Sequence, residues 1–254
     1  MLVLLPPSET KRDGGDGGAL AVARLAFPAL AQLRAEAVAA TIVLAADPDA
    51  AMRALRIGTR QAGEVDRNRR LLVSPTMPSI DRYTGVLYDA LDAASLDAEA
   101  RAYAARTVAV HSALLGPVGA LDEIPAYRLS HDSRLPGLSL KRHWRTAVAA
   151  ELAARDGLIV DLRSEGYVDL GPVPRREGSV FVRVVSVDDA GRRRALNHFN
   201  KRTKGLFTRA LLEHRPALHT IADLLDWASD AGFRLETRDG AGPGASRELE
   251  LVTA

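Results

Sequence analysis

The sequence contains no cysteine. Disulfides, thiolate nucleophiles, zinc ribbons and cysteine-ligated iron–sulfur clusters are therefore excluded, and the absence is compatible with a reducing cytoplasm, which is the expected location. No long apolar run opens the chain either. Met1–Leu5 are apolar but are stopped by Pro6 and Pro7, too soon for a signal-peptide core or a bilayer span, so a buried first strand and no membrane partner are expected. Net charge is scarce, +2 at pH 7, so attraction to a polyanion must come from where the charges sit. The Gly-x4-Gly-Lys-Ser/Thr order of a phosphate loop and the Gly-x-Ser-x-Gly of a nucleophile elbow are missing. His111, His131, His143, His198, His214 and His219 contain no i, i+4 pair that would form a helical metal face. No metal and no cofactor is expected.

What is present suits a globular chain: 254 residues, 47% hydrophobic and 26% charged, enough apolar surface to offset the entropy of ordering. No repeat or low-complexity linker divides it, so residues 1–254 are expected to form a single domain. Strand patterns fall at 1–5, 107–110, 158–162, 180–187, 233–236 and 249–252. Helical patterns fall at 98–105, 141–155, 201–213 and 221–228, and from Ala19 to Leu44 with an interruption at Pro28. Along that last stretch Leu30, Leu33, Ala37 and Val38 share a face. Asp47-Pro48-Asp49 marks a helix start, and the Gly240–Ala245 stretch reads as the turn between the last two strands. The mixed order predicts an α/β fold with a mixed sheet flanked by helices.

Two segments concentrate positive charge. Met52–Leu71 holds six arginines against Glu64 and Asp66, and Arg53, Arg56 and Arg60 recur at helical spacing. Leu55, Ile57, Gly58 and Ala62 fit a helix-hairpin-helix-like element at about 49–70, in which a tight turn offers backbone N–H groups to a DNA phosphate. The other reading is a solvated helical pair with surface arginines. Gly191–Arg209 holds seven Lys or Arg and no acid, with Asn197, His198, Phe199 and Asn200 between its two basic clusters. Arg192–Arg194 read equally well as a charged turn paired with Asp188 and Asp189, whereas Lys201, Arg202, Lys204 and Arg209 have no acidic neighbour before Glu213. A third element, Ser8-Glu9-Thr10-Lys11, follows the first strand, at the edge where α/β sheets bind ligands. It reads otherwise as a plain exposed loop.

Taken together, several short stretches resemble the YaaA family of bacterial peroxide-stress proteins, which help keep intracellular iron low. They are MLVLLPPSETK at 1–11, LRIGTRQA at 55–62, Tyr83-Thr84-Gly85, Ser112–Gly116, Leu121-Asp122, Pro125–Leu129, His143-Trp144, Ser164–Tyr167, and Phe199–Gly205 ending at Arg209. The resemblance implies a YaaA-type α/β fold, a positively charged cleft, and DNA binding assisted by a helix-hairpin-helix. It assigns DNA contact to Arg53, Arg56, Gly58, Arg60, Lys201, Arg202, Lys204 and Arg209. Ser8, Thr10, Lys11, Tyr83, Thr84, Arg128, Ser164, Tyr167 and Asn200 are the matching cleft-lining candidates. The chain departs from the family's Pro-Ala-Lys-Thr opening: Pro7-Ser8-Glu9-Thr10 places an acid where the lysine stands, with Lys11 two positions on.

Three functions follow as expectations. A DNA-binding protein of the peroxide-stress response, gripping phosphates with little sequence preference, would lose roughly three to five decades of affinity between 50 and 200 mM salt if six to eight contacts form. An enzyme acting on a nucleotide or nucleobase would instead gather its polar groups in one pocket. Direct iron binding has the least support, given the absence of cysteine and of clustered His and carboxylate spacing.

Overall fold

A computed structural model of the chain describes residues 1–187, 193–195, 199–237 and 247–253. In chain order the strands are β1 (Leu2–Leu5), β2 (Met77–Pro78), β3 (Val108–Ser112), β4 (Gly116–Gly119), β5 (Glu123–Ile124), β6 (Ile159–Asp161), β7 (Ser179–Val187), β8 (Arg193–Ala195), β9 (Arg234–Thr237) and β10 (Arg247–Thr253). The helices are α1 (Ala31–Ala45), α2 (Pro48–Leu55), α3 (Gly63–Arg69), α4 (Ser79–Arg82), α5 (Val86–Leu91), α6 (Ala98–Thr107), α7 (Leu140–Ala153), α8 (Glu165–Val168), α9 (Phe199–His214) and α10 (Ile221–Asp230).

The main sheet is mixed, in the order β4-β3-β1-β6-β7-β10-β9, with β8 beside the far end of β7. β3, β1, β6, β7 and β10 run parallel, while β4, β9 and β8 pair antiparallel with their neighbours. All four residues of β1 are buried, because parallel neighbours flank it and packed elements cover both faces; that is why it reads as an unbroken apolar run. From β1 the chain goes first to β3 on one side and later to β6 on the other. The loops leaving the carboxyl ends of β1 and β6 therefore diverge, which opens a crevice.

Most sequence-derived elements are present, with ends shifted by at most two residues. The Ala19–Leu44 pattern is broken by 3-10 turns at Val22–Arg24 and Pro28–Leu30 before α1 begins. The shared face of α1 contains a residue its polarity would exclude: Arg34 is fully buried beside Leu30, Ala37 and Val38. Its guanidinium donates to Leu115 O at 2.8 Å, Pro117 O at 2.8 Å and Ala26 O at 2.6 Å, so carbonyls of the β4 region take the place of water. Burial lowers its pKa to about 10, still leaving it a cation at neutral pH. β4 itself, Gly-Pro-Val-Gly, carries no strand pattern and is held by these bonds. Trp144 of α7 donates to Ala113 O, and its ring lies 3.1 Å from where a Cβ on Gly116 (φ +63°) would stand. The segments Ser112–Gly116 and His143-Trp144 thus build the frame. The Gly240–Ala245 turn lies outside the described residues.

Candidate functional site

The crevice is a cleft of about 730 Å³ at the carboxyl ends of β1 and β6. Pro6–Thr10 follow β1, Arg163–Tyr167 follow β6, Thr84–Tyr88 enter from α5, Ser130 and His131 form one wall, and Asn200, Lys201 and Lys204 of α9 face in. Close backbone approach shapes its floor. A Cβ on Gly166 would meet the His131 imidazole at 2.4 Å, and one on Gly85, at φ +95°, would stand 3.3 and 3.4 Å from the Ser8 and Thr10 hydroxyls. The Tyr167 ring packs edge-on against His131, with centroids 5.1 Å apart.

The cleft wall rests on a buried ionic network. Arg163, fully buried, donates through Nε and Nη2 to Asp161 at 2.8 and 2.6 Å and through Nη1 to Gly171 O at 2.9 Å and His111 Nδ1 at 2.5 Å. Because a guanidinium only donates, His111 Nδ1 accepts, and the imidazole proton resides on Nε2. Burial and the adjacent guanidinium hold the His111 pKa well below the usual range, so it is neutral. At the end of β3, Ser112 Oγ accepts from Leu114 N and Leu115 N, which leaves its own proton for Tyr127 OH and that of Tyr127 for Tyr83 OH.

Of the cleft-lining candidates, Ser8, Thr10, Thr84, Ser164, Tyr167 and Asn200 meet in the cleft. Lys11 and Tyr83 lie beneath the loop instead. The Lys11 ammonium is folded back onto Ser8 O at 2.9 Å and sits 4.0 Å above the Tyr127 ring. Burial, followed by the neighbouring Arg128 charge, lowers its pKa to about 7. Arg128 is engaged by the Glu9 carboxylate at 2.5 Å. Glu9, where the family pattern has lysine, is exposed and is thus paired from beneath by the nearly buried Arg128, while Lys11 supports the loop from within.

The DNA-contact candidates divide. Lys201 and Arg202 are exposed and have no ion pair among the described residues, as is true of Arg53 and Arg60. Arg56 is spent on Asp132 at 2.6 Å, and the other oxygen of Asp132 takes the Ser130 hydroxyl of the cleft wall, which ties the end of α2 to the cleft. Arg209 is committed to Glu213, Leu91 O, Asp92 O and the Ser95 hydroxyl, all within 3.0 Å. Lys204 is buried rather than exposed: its ammonium donates to Leu162 O at 2.8 Å, and burial lowers its pKa to about 8. The turn after α2 is made by Arg56 in the left-handed region (φ 56°), while Gly58 is extended, with nothing within 4 Å of where a Cβ would stand. Arg60, Arg67 and Arg70 line a neighbouring depression of about 510 Å³ with Asp13, Glu64 and Asp66. Asn197 and His198 lie outside the described residues, as do Asp188, Asp189 and Arg192.

Four cleft groups were not singled out from sequence: His131, Arg163, Glu165 and Arg183. A signal existed for Arg163 and Glu165, since Arg163-Ser164-Glu165 follows an apolar strand just as Ser8-Glu9-Thr10 does. Arg183 gave none; it bonds Glu248 at 2.7 Å and Glu165 at 3.0 Å across elements far apart in sequence.

A family profile described as "Peroxide stress protein YaaA" matches residues 1–239. The chain belongs to the YaaA peroxide-stress family. It is 42% identical over 257 residues to a UPF0246 protein of Streptomyces coelicolor, covering 99% of this chain and 98% of that one. A UPF0246 protein of Corynebacterium efficiens is 42% identical over 245 residues, covering 94% and 96%, and one from Salinispora tropica is 32% identical over 250 residues, covering 93% and 89%. The YaaA match thus includes the loops after β1 and β6 and the cleft-facing start of α9.

Proposed function

We propose that this YaaA-family protein binds DNA in the cleft through the phosphate backbone, with little discrimination between bases. One observation carries the reading: the first turn of α9 brings Lys201, with no acidic partner among the described residues, to a cleft rimmed by the hydroxyls of Ser8, Thr10 and Ser164, and the next residue, Arg202, is exposed and equally without an ion pair among the described residues. Unpaired cations beside neutral donors suit a phosphodiester, which needs charge and hydrogen bonds together. The α2–α3 pair serves as a second, helix-hairpin-helix-like contact through Arg53 and Arg60.

Arg56, Lys204 and Arg209 are engaged within the protein, so the contact count falls to about four. Affinity for duplex DNA should then drop by about two decades between 50 and 200 mM salt. Mobility shifts at varied salt test this, with Lys201→Glu/Arg202→Glu expected to weaken every duplex alike. A salt-independent affinity, or unchanged binding by that variant, would refute the reading. A second reading has its own support: about 730 Å³ is the size of a small-ligand site, and Asn200 Oδ1 is buried there without a partner. On that reading a free nucleotide or nucleobase is the ligand. Thermal stabilisation by single nucleotides, insensitive to salt, would favour it over DNA.

A further inference from the structure

Lys204 is a group that backbone phosphate binding leaves unexplained. It lines the cleft yet is 5% exposed, and its one side-chain hydrogen bond among the described residues is to Leu162 O at 2.8 Å. The charges that face it are already used: Asp161 is doubly bonded by Arg163, and Arg183 is held by Glu248 and Glu165. The Phe181 ring covers it at 5.8 Å. A cation so placed is a poor phosphate ligand, because burial opposes its charge. With its pKa lowered to about 8, its free-amine fraction near neutrality is roughly 300-fold that of an open lysine. Buried amines of this kind act as nucleophiles toward carbonyls.

The neighbours restrict the carbonyl. Lys201 lies three residues earlier on the same helix face, exposed at the rim, about one helical turn away. A phosphate held by Lys201 would leave its attached sugar about one helical turn from the Lys204 amine, in the cleft that Ser164 and Tyr167 also line.

We propose that Lys204 is a nucleophilic amine that condenses with the aldehyde of a phosphate-bearing sugar, namely the ring-opened deoxyribose of a base-less position in DNA. This rests on the DNA reading of the same cleft. The Nζ lone pair adds to the aldehyde carbon, and the carbonyl oxygen becomes the hydroxyl of a carbinolamine. The two protons that leave nitrogen depart with that oxygen as water, and a C=N bond replaces C=O. No oxidant or reductant is consumed.

Borohydride trapping tests it, because hydride addition turns the imine into a stable secondary amine. Wild-type protein is treated with borohydride and an oligonucleotide bearing one base-less position, the intact oligonucleotide, or deoxyribose 5-phosphate, and binding of both oligonucleotides is followed by mobility shift. The chain has four lysines, Lys11, Lys141, Lys201 and Lys204, so peptide mapping assigns the adduct without a variant. We expect an adduct on Lys204 with the base-less strand, none with the intact strand, and at least a tenfold loss in Lys204→Arg. Binding of the base-less oligonucleotide with no adduct, or an adduct spread over other lysines, would overturn the nucleophile and leave the DNA reading standing. Trapping of deoxyribose 5-phosphate on Lys204 with no oligonucleotide bound would keep the nucleophile, identify a free sugar phosphate as its substrate, and remove the DNA reading. No binding and no adduct would remove both.

Discussion

Replacing Asp161 by asparagine tests whether the cleft wall is held by a buried charge pair. Asp161 and Arg163 side chains are 1% and 0% exposed, 2.6 Å apart at the nearest contact. The amide introduced by Asp161→Asn would keep one acceptor but remove the only counter-charge that, among the described residues, is bonded to a fully buried guanidinium. Breaking such a pair from one side costs about 3–5 kcal/mol, because the remaining charge is uncompensated. For a chain of this size that lowers Tm by roughly 6–20 °C. The double replacement Asp161→Leu/Arg163→Met removes both charges and should recover more than half of the loss, though His111 Nδ1 and Gly171 O then lose their donor. Thermal unfolding followed by circular dichroism measures all three proteins. A second readout is local: the Asp161 charge raises the Lys204 pKa against burial, so Asp161→Asn should shift the pH midpoint of Lys204 acylation downward. If the single variant lies within about 1 kcal/mol of wild type, or the double variant is no better than the single, the pair is not what holds the wall.

Three further outcomes follow from the same geometry. Burial lowers Lys11 to about 7 and Lys204 to about 8 from 10.5, so between those values the unfolded chain holds more protons and stability rises with pH, by at most about 1.4 kcal/mol per unit for each group; below pH 7 both states are protonated and this slope vanishes. Urea midpoints should therefore increase from pH 7 to 9 and less so in Lys11→Met, whereas a wild-type midpoint that falls across this range would contradict the burial of these amines. Gly205→Ala should destabilise by about 1–3 kcal/mol, because the new Cβ would meet Leu87 O at 2.2 Å and Ala90 Cβ at 2.9 Å; helix propensity alone predicts a gain of about 1 kcal/mol, so the sign of the Tm change decides. Arg209→Ala should lower Tm while leaving DNA affinity of the folded protein within threefold, and a tenfold loss of affinity would show that this guanidinium leaves Glu213 for the nucleic acid.

The sequence by itself determined the strands and long helices, because apolar runs and helical periods report burial locally: β1, β7, α7, α9 and α10 follow from them directly. It also offered Ser8-Glu9-Thr10, after a buried strand, as a candidate ligand edge, and it marked Lys201, Arg202, Lys204 and Arg209 alike as cations without acidic neighbours. Only the tertiary structure decided which charges remain available. Arg56 meets Asp132 across 76 residues, and Arg209 reaches the Leu91–Ser95 segment across 114–118. Arg34, Arg163 and Lys204 disappear into the interior, each paired with carbonyls or a carboxylate that no local pattern announces. A side chain's charge is written in the sequence, but its solvation and its partner depend on contacts between distant segments, and these decide whether a basic residue stays free in solvent, braces the fold or has its charge opposed by burial.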